Sequence, residues 1–160
     1  MKNIDRIINH PLFGMSMKKI REYEADREFC CHGIEHSLDV ARMAYIENLE
    51  EELGFSKEMI YTAALLHDIG RWRQYEEQIP HEEAGAELAA DILKDTDFGE
   101  EEICEILTAI GSHRDRQSEE KNSFGRLLYR ADKQSRVCWL CEAQKDCYWP
   151  EEQKNMTIRD

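Results

Sequence analysis

A histidine and an aspartate stand side by side at the end of an apolar segment, in the stretch Ala63-Ala64-Leu65-Leu66-His67-Asp68-Ile69-Gly70. The four apolar residues direct the end of a helix into the protein interior, and Gly70 can end that helix. An ionised carboxylate that is buried without a partner is unfavourable by several kcal/mol. A bound metal ion is the simplest partner for this imidazole and carboxylate.

Four other segments contain side chains of the same two types. His36 precedes the central pair, His81 and His113 follow it, and Asp132 lies in Leu127-Leu128-Tyr129-Arg130-Ala131-Asp132-Lys133. Imidazole and carboxylate ligands together suit Zn, Mn, Fe, Co or Ni better than Ca, which prefers oxygen ligands alone. The sequence therefore predicts a site for one or two divalent transition metal ions.

In chain order these ligands are His, His-Asp, His, His and Asp, and with them the chain resembles the HD-domain metal-dependent phosphohydrolases, including the literal His67-Asp68. The resemblance extends from about His32 to Arg136. It implies a first metal ion bound by four residues, namely His36, His67, Asp68 and Asp132. In relatives that hold two ions, the intervening histidines, here His81 and His113, bind the second ion and the aspartate of the central pair bridges.

The chemistry that this resemblance implies is hydrolysis of a phosphate ester, with Asp68 in the catalytic centre. Metal ions make hydroxide available near neutral pH for attack on phosphorus, and they neutralise phosphoryl oxygens as charge builds up. Ala84-Gly85-Ala86 and Ala131-Asp132-Lys133 resemble the smaller bacterial members of the family. The expected substrate is therefore a small phosphorylated metabolite, a nucleotide or a dinucleoside polyphosphate.

Other functions remain open because the family contains them. Cyclic-nucleotide phosphodiesterases and deoxynucleotidases belong to it, and some HD-fold proteins use a mixed-valence di-iron pair to activate oxygen and cleave carbon bonds. A sensor that binds a nucleotide without turnover would keep the same ligands. Metal analysis with electron paramagnetic resonance, and phosphate release under different metals, would separate these classes.

An acidic protein needs local positive charge to bind a phosphate, and the motif segments supply it. Arg71 follows Gly70 directly, where many relatives have lysine, and Lys133 and Arg136 lie beside Asp132 one turn apart. Arg114, next to His113, is a weaker candidate. His32 lies one helical turn before His36, so it is the best candidate for an additional substrate contact or proton donor.

Two further motifs suggest other kinds of metal site. His32-Gly33-Ile34-Glu35-His36 fits the H-x-x-E-H pattern of inverted zinc peptidases, but that interpretation leaves the five later ligands unexplained. Cys138-Trp139-Leu140-Cys141 with Cys147 could bind zinc or an iron–sulfur cluster, with Cys30 or Cys31 as a fourth ligand. Small buried residues on a helix would explain the same cysteines.

Composition limits the partners of the chain. The 160 residues predict one domain, with a motif core at about 32–136 and a cysteine-containing extension at 137–160. Lysine and arginine number 21 against 34 acidic residues, so the net charge of −13 argues against binding to nucleic-acid polymers or anionic membranes. Without a signal peptide or a membrane span we expect a cytoplasmic protein with reduced cysteines, and a homodimer is compatible with the sequence.

Hydrophobic periodicity predicts an all-α bundle of six to eight helices, because no stretch alternates with a period of two, and the resemblance implies that this bundle is of the HD type. The expected helices include one near Ile4–Ile8 ended by Pro11, one over 16–29, one from about Ile34 to Gly54, and one capped by Ser56. Helices near His81, over 103–110 and after Ser123 follow. We expect a loop over the site at Arg71–Pro80 and a mobile loop at Arg114–Asn122.

Overall fold

The structure, a computed structural model, describes residues 1–114 and 123–158, with the side chain of Ser123 outside the description. The described residues form eight α-helices and no strand, so the all-helical prediction is confirmed. The helices are α1 (Lys2–Ile8), α2 (Pro11–Tyr23), α3 (Ile34–Glu50), α4 (Lys57–Leu66), α5 (Arg71–Glu77), α6 (His81–Leu93), α7 (Glu100–Ser112) and α8 (Ser123–Gln134). Two short 3₁₀ helices follow at Cys138–Leu140 and Glu151–Gln153.

The first two helices begin and end at local signals. Ile4 and Ile7 are the buried side of α1. Pro11 does more than end α1: it is the first residue of α2, where its missing N–H is not needed, and the ring of His10 accepts a hydrogen bond from the backbone N–H of Leu12. The second helix therefore begins five residues earlier and ends six residues earlier than the predicted segment at 16–29.

Helices α3 and α4 form the central pair of the bundle. Helix α3 packs against α4 and α8, and α4 also packs against α7. The side chain of Ser56 accepts a hydrogen bond from the backbone N–H of Met59, as predicted for the N-cap of α4. The last five residues of α4, Thr62 to Leu66, are all buried, so its end carries the next residues of the chain directly into the core.

The expected loop at Arg71–Pro80 is wrong, because Arg71–Glu77 is helix α5. Its periodicity is hidden since only Trp72 is fully buried, with the indole N–H donating to the hydroxyl of Ser16 on α2. The helix ends at Glu77, and the next residue, Gln78, adopts a left-handed conformation. This short helix packs between α2 and α6.

The remaining helices complete the bundle around a core of aliphatic side chains. Helix α6 begins at His81 as predicted and packs against α7, which in turn packs against α8. The core includes Ile60, Leu66, Ile69, Ile92, Leu93, Ile106, Ile110, Leu127 and Leu128. The predicted cap by Ser123, and the predicted mobile loop apart from Arg114, lie outside the described residues. Within residues 1–114 and 123–158, no helix combines the length and apolar composition that crossing a bilayer requires.

Candidate metal centre

Helix ends bring the predicted metal ligands together inside the bundle. His67 follows the last residue of α4, His81 is the first residue of α6, and His113 follows α7. His36 lies in the first turn of α3 and Asp132 in the last turn of α8. All six predicted ligands, Asp68 included, are buried, and four or three at a time they come close enough to bind one ion.

The first ligand group consists of His36, His67, Asp68 and Asp132, whose ligand atoms all lie within 4.8 Å of one another. Nε2 of His36 is 3.2 Å from Oδ1 of Asp132, and Nε2 of His67 is 3.1 Å from Oδ2 of Asp68. Two imidazole nitrogens and two carboxylates thus surround one point. This is the ligand set that the resemblance assigned to the first metal ion.

The second ligand group consists of Asp68, His81 and His113. Nε2 of His81 is 3.3 Å from Oδ1 of Asp68 and 3.2 Å from Nε2 of His113. The two oxygens of Asp68 therefore face different groups, Oδ2 toward the first and Oδ1 toward the second. That geometry is what a carboxylate bridging two ions requires.

Hydrogen bonds at the opposite ring nitrogens orient the histidines. Nδ1–H of His67 donates to the carbonyl oxygen of Ala64 at 2.7 Å, and Nδ1–H of His113 donates to that of Ile110 at 2.6 Å. Nδ1–H of His81 donates to Oε1 of Gln74 at 2.6 Å. Each bond fixes the tautomer and leaves Nε2 as the ligand atom, a usual arrangement in metal sites.

The carboxylates set the charge of the first ligand group. Burial lowers the pKa of His67, but Asp68 and Asp132 outweigh burial and raise that pKa to about 10. Burial raises the pKa values of both aspartates, but neighbouring histidines and cations hold these values well below the usual range. Without a metal ion this group therefore binds a proton on His67 as its compensating charge.

The second ligand group remains neutral at its histidines. Burial, assisted by Arg71, lowers the pKa of His81 to about 2. Burial and the charge of His67 lower the pKa of His113 to about 4. Both imidazoles are therefore unprotonated near neutral pH, as metal ligands must be.

These residues fit a divalent metal ion. Nε2 of His67 is buried and makes no hydrogen bond of good geometry to any described residue, so a polar atom is left for a further partner. Three imidazoles and two carboxylates are all buried around that atom, and a cation would compensate the two negative charges. The donor types suit Mn, Fe, Co, Ni or Zn.

One cavity of about 710 Å³ opens beside this centre. It is lined by four of the ligands, His36, His81, His113 and Asp132, and by the predicted phosphate contacts Arg71, Lys133 and Arg136. Each cation contacts a ligand: Nε of Arg71 donates to Oδ1 of Asp68 at 3.1 Å, and Nζ of Lys133 donates to Oδ2 of Asp132 at 2.8 Å. A guanidinium N–H of Arg136 donates to Nε2 of His36 at 2.9 Å.

His32 also lines this cavity and is outside both ligand groups. Its backbone N–H and its Nδ1 lie 2.6 Å and 2.5 Å from the carboxylate of Glu24, which also accepts a hydrogen bond from the hydroxyl of Tyr75. Nε2 is thus the ring nitrogen that remains for a substrate. The peptidase interpretation of H-x-x-E-H needs both histidines on zinc and the glutamate beside it. Only His36 belongs to a ligand group, and Glu35 is exposed, so that interpretation is wrong for this fold.

Sequence inspection missed the residues that orient the ligands and the reason for one glycine. Gln74 and Glu24 hold His81 and His32, and neither position carries a signal beyond being polar near a helix end. Gly70 has an ordinary φ of −81°, so it is not needed to turn the chain. A Cβ there would lie 2.3 Å from the backbone nitrogen of Gly85 and 2.4 Å from the carbonyl oxygen of His81. Gly70 therefore lets α6 approach the turn that carries Asp68.

Of the cysteines, none belongs to either ligand group, and no three come within 4.8 Å of one another among the described residues. All six are free thiols. Cys30, Cys138, Cys141 and Cys147 nevertheless line the same cavity as the metal centre. Cys31 and Cys104 are exposed.

Comparison with known proteins places this chain in a family. The HD domain matches residues 33–137. An uncharacterized protein of Clostridium beijerinckii is 46% identical over 158 residues, which is 99% of each chain. The crystal structure of a predicted HD superfamily hydrolase from an uncultured Thermotogales bacterium superposes with a TM-score of 0.66 at 25% identity, covering 92% of this chain and 82% of that chain.

A shorter similarity connects the same region to a larger protein. Ribonuclease Y of Enterococcus faecalis is 38% identical over 80 residues, which is 50% of this chain and only 14% of that protein. The family match covers more than half of the chain, and the matched range includes all the histidines and aspartates of the two ligand groups. This chain belongs to the HD-domain family of metal-dependent phosphohydrolases.

Proposed function

We propose that this protein hydrolyses a phosphate ester of a small phosphorylated metabolite, a nucleotide or a dinucleoside polyphosphate. The observation that carries this proposal is the arrangement of three cations, Arg71, Lys133 and Arg136, around the metal centre at one cavity. Because the net charge of the protein is −13, these three cations give the cavity a local positive charge that the chain as a whole does not have.

The size and lining of the cavity support a substrate of nucleotide size. About 710 Å³ lies within the range of sites that enclose a small organic ligand. Nζ of Lys133 lies 5.6 Å from the ring of Tyr129 and 5.3 Å from that of Trp149, and both rings line the cavity. Aromatic faces beside a phosphate-binding cation offer a surface on which a base can stack.

Each residue would have a defined part in hydrolysis. When bound, divalent metal ions lower the pKa of water and polarise a phosphoryl oxygen. Asp68 would hold the two ligand groups together, since its two oxygens face one group each. Arg71 and Arg136 would transfer hydrogen bonds from the ligands that they now contact to phosphate oxygens, because a guanidinium can contact two oxygens at once.

His32 would act on the leaving group. Burial lowers its pKa, while the Asp68 charge and the hydrogen bond with Glu24 oppose that shift. Glu24 fixes the ring through Nδ1, so Nε2 would face the cavity as a donor or acceptor. A proton supplied there would stabilise the leaving oxygen.

A screen of phosphorylated compounds tests the proposal directly. Nucleoside monophosphates, dinucleoside polyphosphates, cyclic nucleotides and an RNA oligonucleotide are incubated with Mn, Co, Ni, Fe or Mg, each tested separately, and phosphate or product release is measured. We expect turnover of a small nucleotide with at least one transition metal. Cleavage of RNA alone would instead favour the activity named for ribonuclease Y.

Two other results would overturn hydrolysis. Oxygen uptake with a mixed-valence iron signal in electron paramagnetic resonance would make the protein an oxygenase. Thermal stabilisation by nucleotides without turnover under any metal would make it a sensor.

A pair of variants, one on helix α8 and one just after it, tests the phosphate contacts. Arg136→Met should raise KM for the substrate by roughly 10-fold to 100-fold with unchanged metal content, since it removes a charge-assisted contact. Arg130→Met is the matched control, because Arg130 pairs with Glu47 and Glu51 and does not line the cavity. Equal KM values for both variants would remove Arg136 from the phosphate site.

A further inference from the structure

Four cysteines from two distant segments line the cavity beside the metal centre. Three lie in the C-terminal segment with the spacing C-x₂-C-x₅-C, at Cys138, Cys141 and Cys147, and the fourth, Cys30, precedes α3. Proteins hold iron–sulfur clusters and structural zinc with four thiolates. Four thiols at one place therefore indicate a metal centre more specifically than a single C-x-x-C does.

Backbone geometry aligns the first two thiols. Residues Cys138–Leu140 form a 3₁₀ helix, and the backbone N–H of Cys141 donates to the carbonyl oxygen of Cys138 at 3.1 Å. Side chains three residues apart lie on the same side of a 3₁₀ helix. Cys138 and Cys141 therefore present their thiols to one side.

Two arginines hold the segment that carries Cys30. Nε of Arg27 donates to the carbonyl oxygen of Cys30, and a guanidinium N–H of Arg136 donates to that of Cys31, both at 2.9 Å. Arg136 follows α8 and directly precedes the C-terminal segment. The bond from Arg136 joins the two cysteine-bearing parts of the chain.

The C-terminal segment is itself fastened to α8. The side-chain amide of Asn155 donates to the carbonyl oxygens of Lys133 at 2.7 Å and Arg136 at 2.9 Å, and the backbone N–H of Trp139 donates to the carbonyl of Asn155 at 3.1 Å. This segment has few apolar residues in the core, where Cys138 is its only buried hydrophobic residue among those described. A metal centre would explain how such a segment keeps one conformation.

Neighbouring charges distinguish Cys30 from Cys31 as the fourth ligand. Burial raises the pKa of Cys30, Arg136 lowers it, and Cys138, Cys141 and Cys147 are close enough to raise it further. None of those three thiols affects Cys31, whose Sγ lies 3.7 Å from the carbonyl oxygen of Phe29. Cys30 faces the other thiols and Cys31 does not.

The spacing of the thiols favours a cluster over a single ion. A zinc–sulfur distance of about 2.3 Å puts the sulfurs of a tetrahedral site about 3.8 Å apart. No three of these thiols come within 4.8 Å of one another, whereas the histidines and aspartates of both ligand groups do. A cluster of four irons and four sulfides needs wider spacing, because each of its four thiolates binds a different iron.

We infer that Cys30, Cys138, Cys141 and Cys147 bind an iron–sulfur cluster at the edge of the catalytic cavity, a site separate from the histidine–aspartate centre. Positive charge is available nearby, from Arg136 beside Cys30 and from the buried Lys154, whose Nζ donates to the carbonyl oxygen of Gln144. The inference does not depend on the proposed substrate, since the two centres share no ligand.

Metal and sulfide analysis of anaerobically purified full-length protein tests the inference. Acid-labile sulfide is the decisive readout, because iron in the histidine–aspartate centre would bring none. We expect about four sulfides per chain, with a matching amount of iron that EDTA does not remove. After dithionite reduction, an electron paramagnetic resonance signal from the wild-type protein should report the cluster independently of any variant.

Adjacent cysteines give a matched pair of variants. Cys30→Ser should lose at least about 10-fold of the sulfide, as should Cys141→Ser, since each removes a thiolate ligand. Cys31→Ser should keep the full amount. Protein without sulfide, zinc bound by these thiols in place of iron, or full sulfide in a folded Cys30→Ser variant would each overturn the inference.

Discussion

The two ligand groups of the metal centre share Asp68 and yet differ in the protonation of their histidines. The first adds Asp132 and two histidines, and its carboxylates raise the pKa of His67 to about 10. The second adds only two imidazoles, and burial lowers their pKa values to about 2 for His81 and about 4 for His113. The first group thus holds a proton on His67 where a metal ion would bind, while both histidines of the second group are neutral.

Because of this difference in protonation, the two metal positions are not equivalent. The first group supplies the negative charge that attracts a cation, but that cation must displace a proton. The nitrogens of the second group are already unprotonated, but its only negative charge is that of Asp68, which it shares with the first group. The first position should therefore bind its ion more tightly, and the second should depend on the first.

Asp68→Ala should have the largest effect, because it removes the one residue common to both groups. We expect loss of both ions and a fall in turnover on the order of 10³-fold or more, since the metal ions supply several kcal/mol of transition-state stabilisation. Metal content by mass spectrometry and phosphate release measure the two losses. Asp91→Ala, at an exposed position on α6 that does not line the cavity, is the control. A variant that keeps full metal content would show that Asp68 does not bridge.

Gly70→Ala should separate the two groups by steric force. Its Cβ would meet the backbone of His81 and Gly85 on α6, which cannot move without carrying His81 away from Asp68. Overpacking against backbone should destabilise the fold by about 3 kcal/mol, or a Tm decrease on the order of 10 °C.

The control for this glycine is Gly111→Ala on α7, where a Cβ would meet nothing within 4 Å. That variant should leave Tm unchanged or slightly higher, because alanine favours helix. If Gly70→Ala had the same Tm as Gly111→Ala, the close approach of α6 would not matter for stability.

These two positions also show what the sequence could and could not predict. The six ligands were predictable because each stands in a recognisable segment next to apolar helical residues, and their types limit the chemistry. The role of Gly70 was not, since a close approach between two segments leaves no trace in the spacing of either. Helix α5 escaped for a related reason: it buries one tryptophan and has no apolar stripe.

The partners of the ligands were harder still to predict. Gln74 lies seven residues from the histidine that it orients, and Ser135 lies 3.3 Å from Nδ1 of His36 across 99 positions of sequence. Such pairs depend on the angle between helices, which side-chain periodicity does not encode. The sequence proposed both Cys30 and Cys31 for the thiol cluster, and only the position of the side chains distinguished them.

Replacing one ligand that belongs to only one group should show that the two groups differ in metal affinity. His113→Ala should leave the first ion bound and reduce binding of the second on the order of 100-fold, because a neutral nitrogen is lost. Asp132→Ala should lose both ions, since it removes negative charge from the group on which the second ion depends. Titration of EDTA-treated protein with Mn, followed by calorimetry, gives the stoichiometry of each variant. Equal losses in the two variants would make the groups equivalent.

The smallest effect, and the most direct test of the charge difference, is the pH dependence of the metal-free protein. The pKa of His67 is raised in the fold from an ordinary 6.5 to about 10, so its stabilisation is complete below pH 6.5 and is lost as pH rises toward 10. The pKa values of His81 and His113 are lowered, so their contribution is present above pH 6.5 and is lost as pH falls toward 4. Thermal unfolding in EDTA should therefore give a maximum of Tm near pH 6.5.

On the alkaline side the decrease should reach about 5 to 10 °C between pH 7 and pH 9, because the folded state binds about one proton more than the unfolded state over these two pH units. A metal ion in the first group takes the place of that proton, so the protein with bound Mn should show no such decrease. His67→Gln should remove the alkaline decrease from the metal-free protein, whereas His10→Gln, outside the centre, should retain it. A metal-free protein with constant Tm from pH 7 to pH 9 would mean that the first group holds no proton, and the proposed inequality of the two positions would then lose its electrostatic cause.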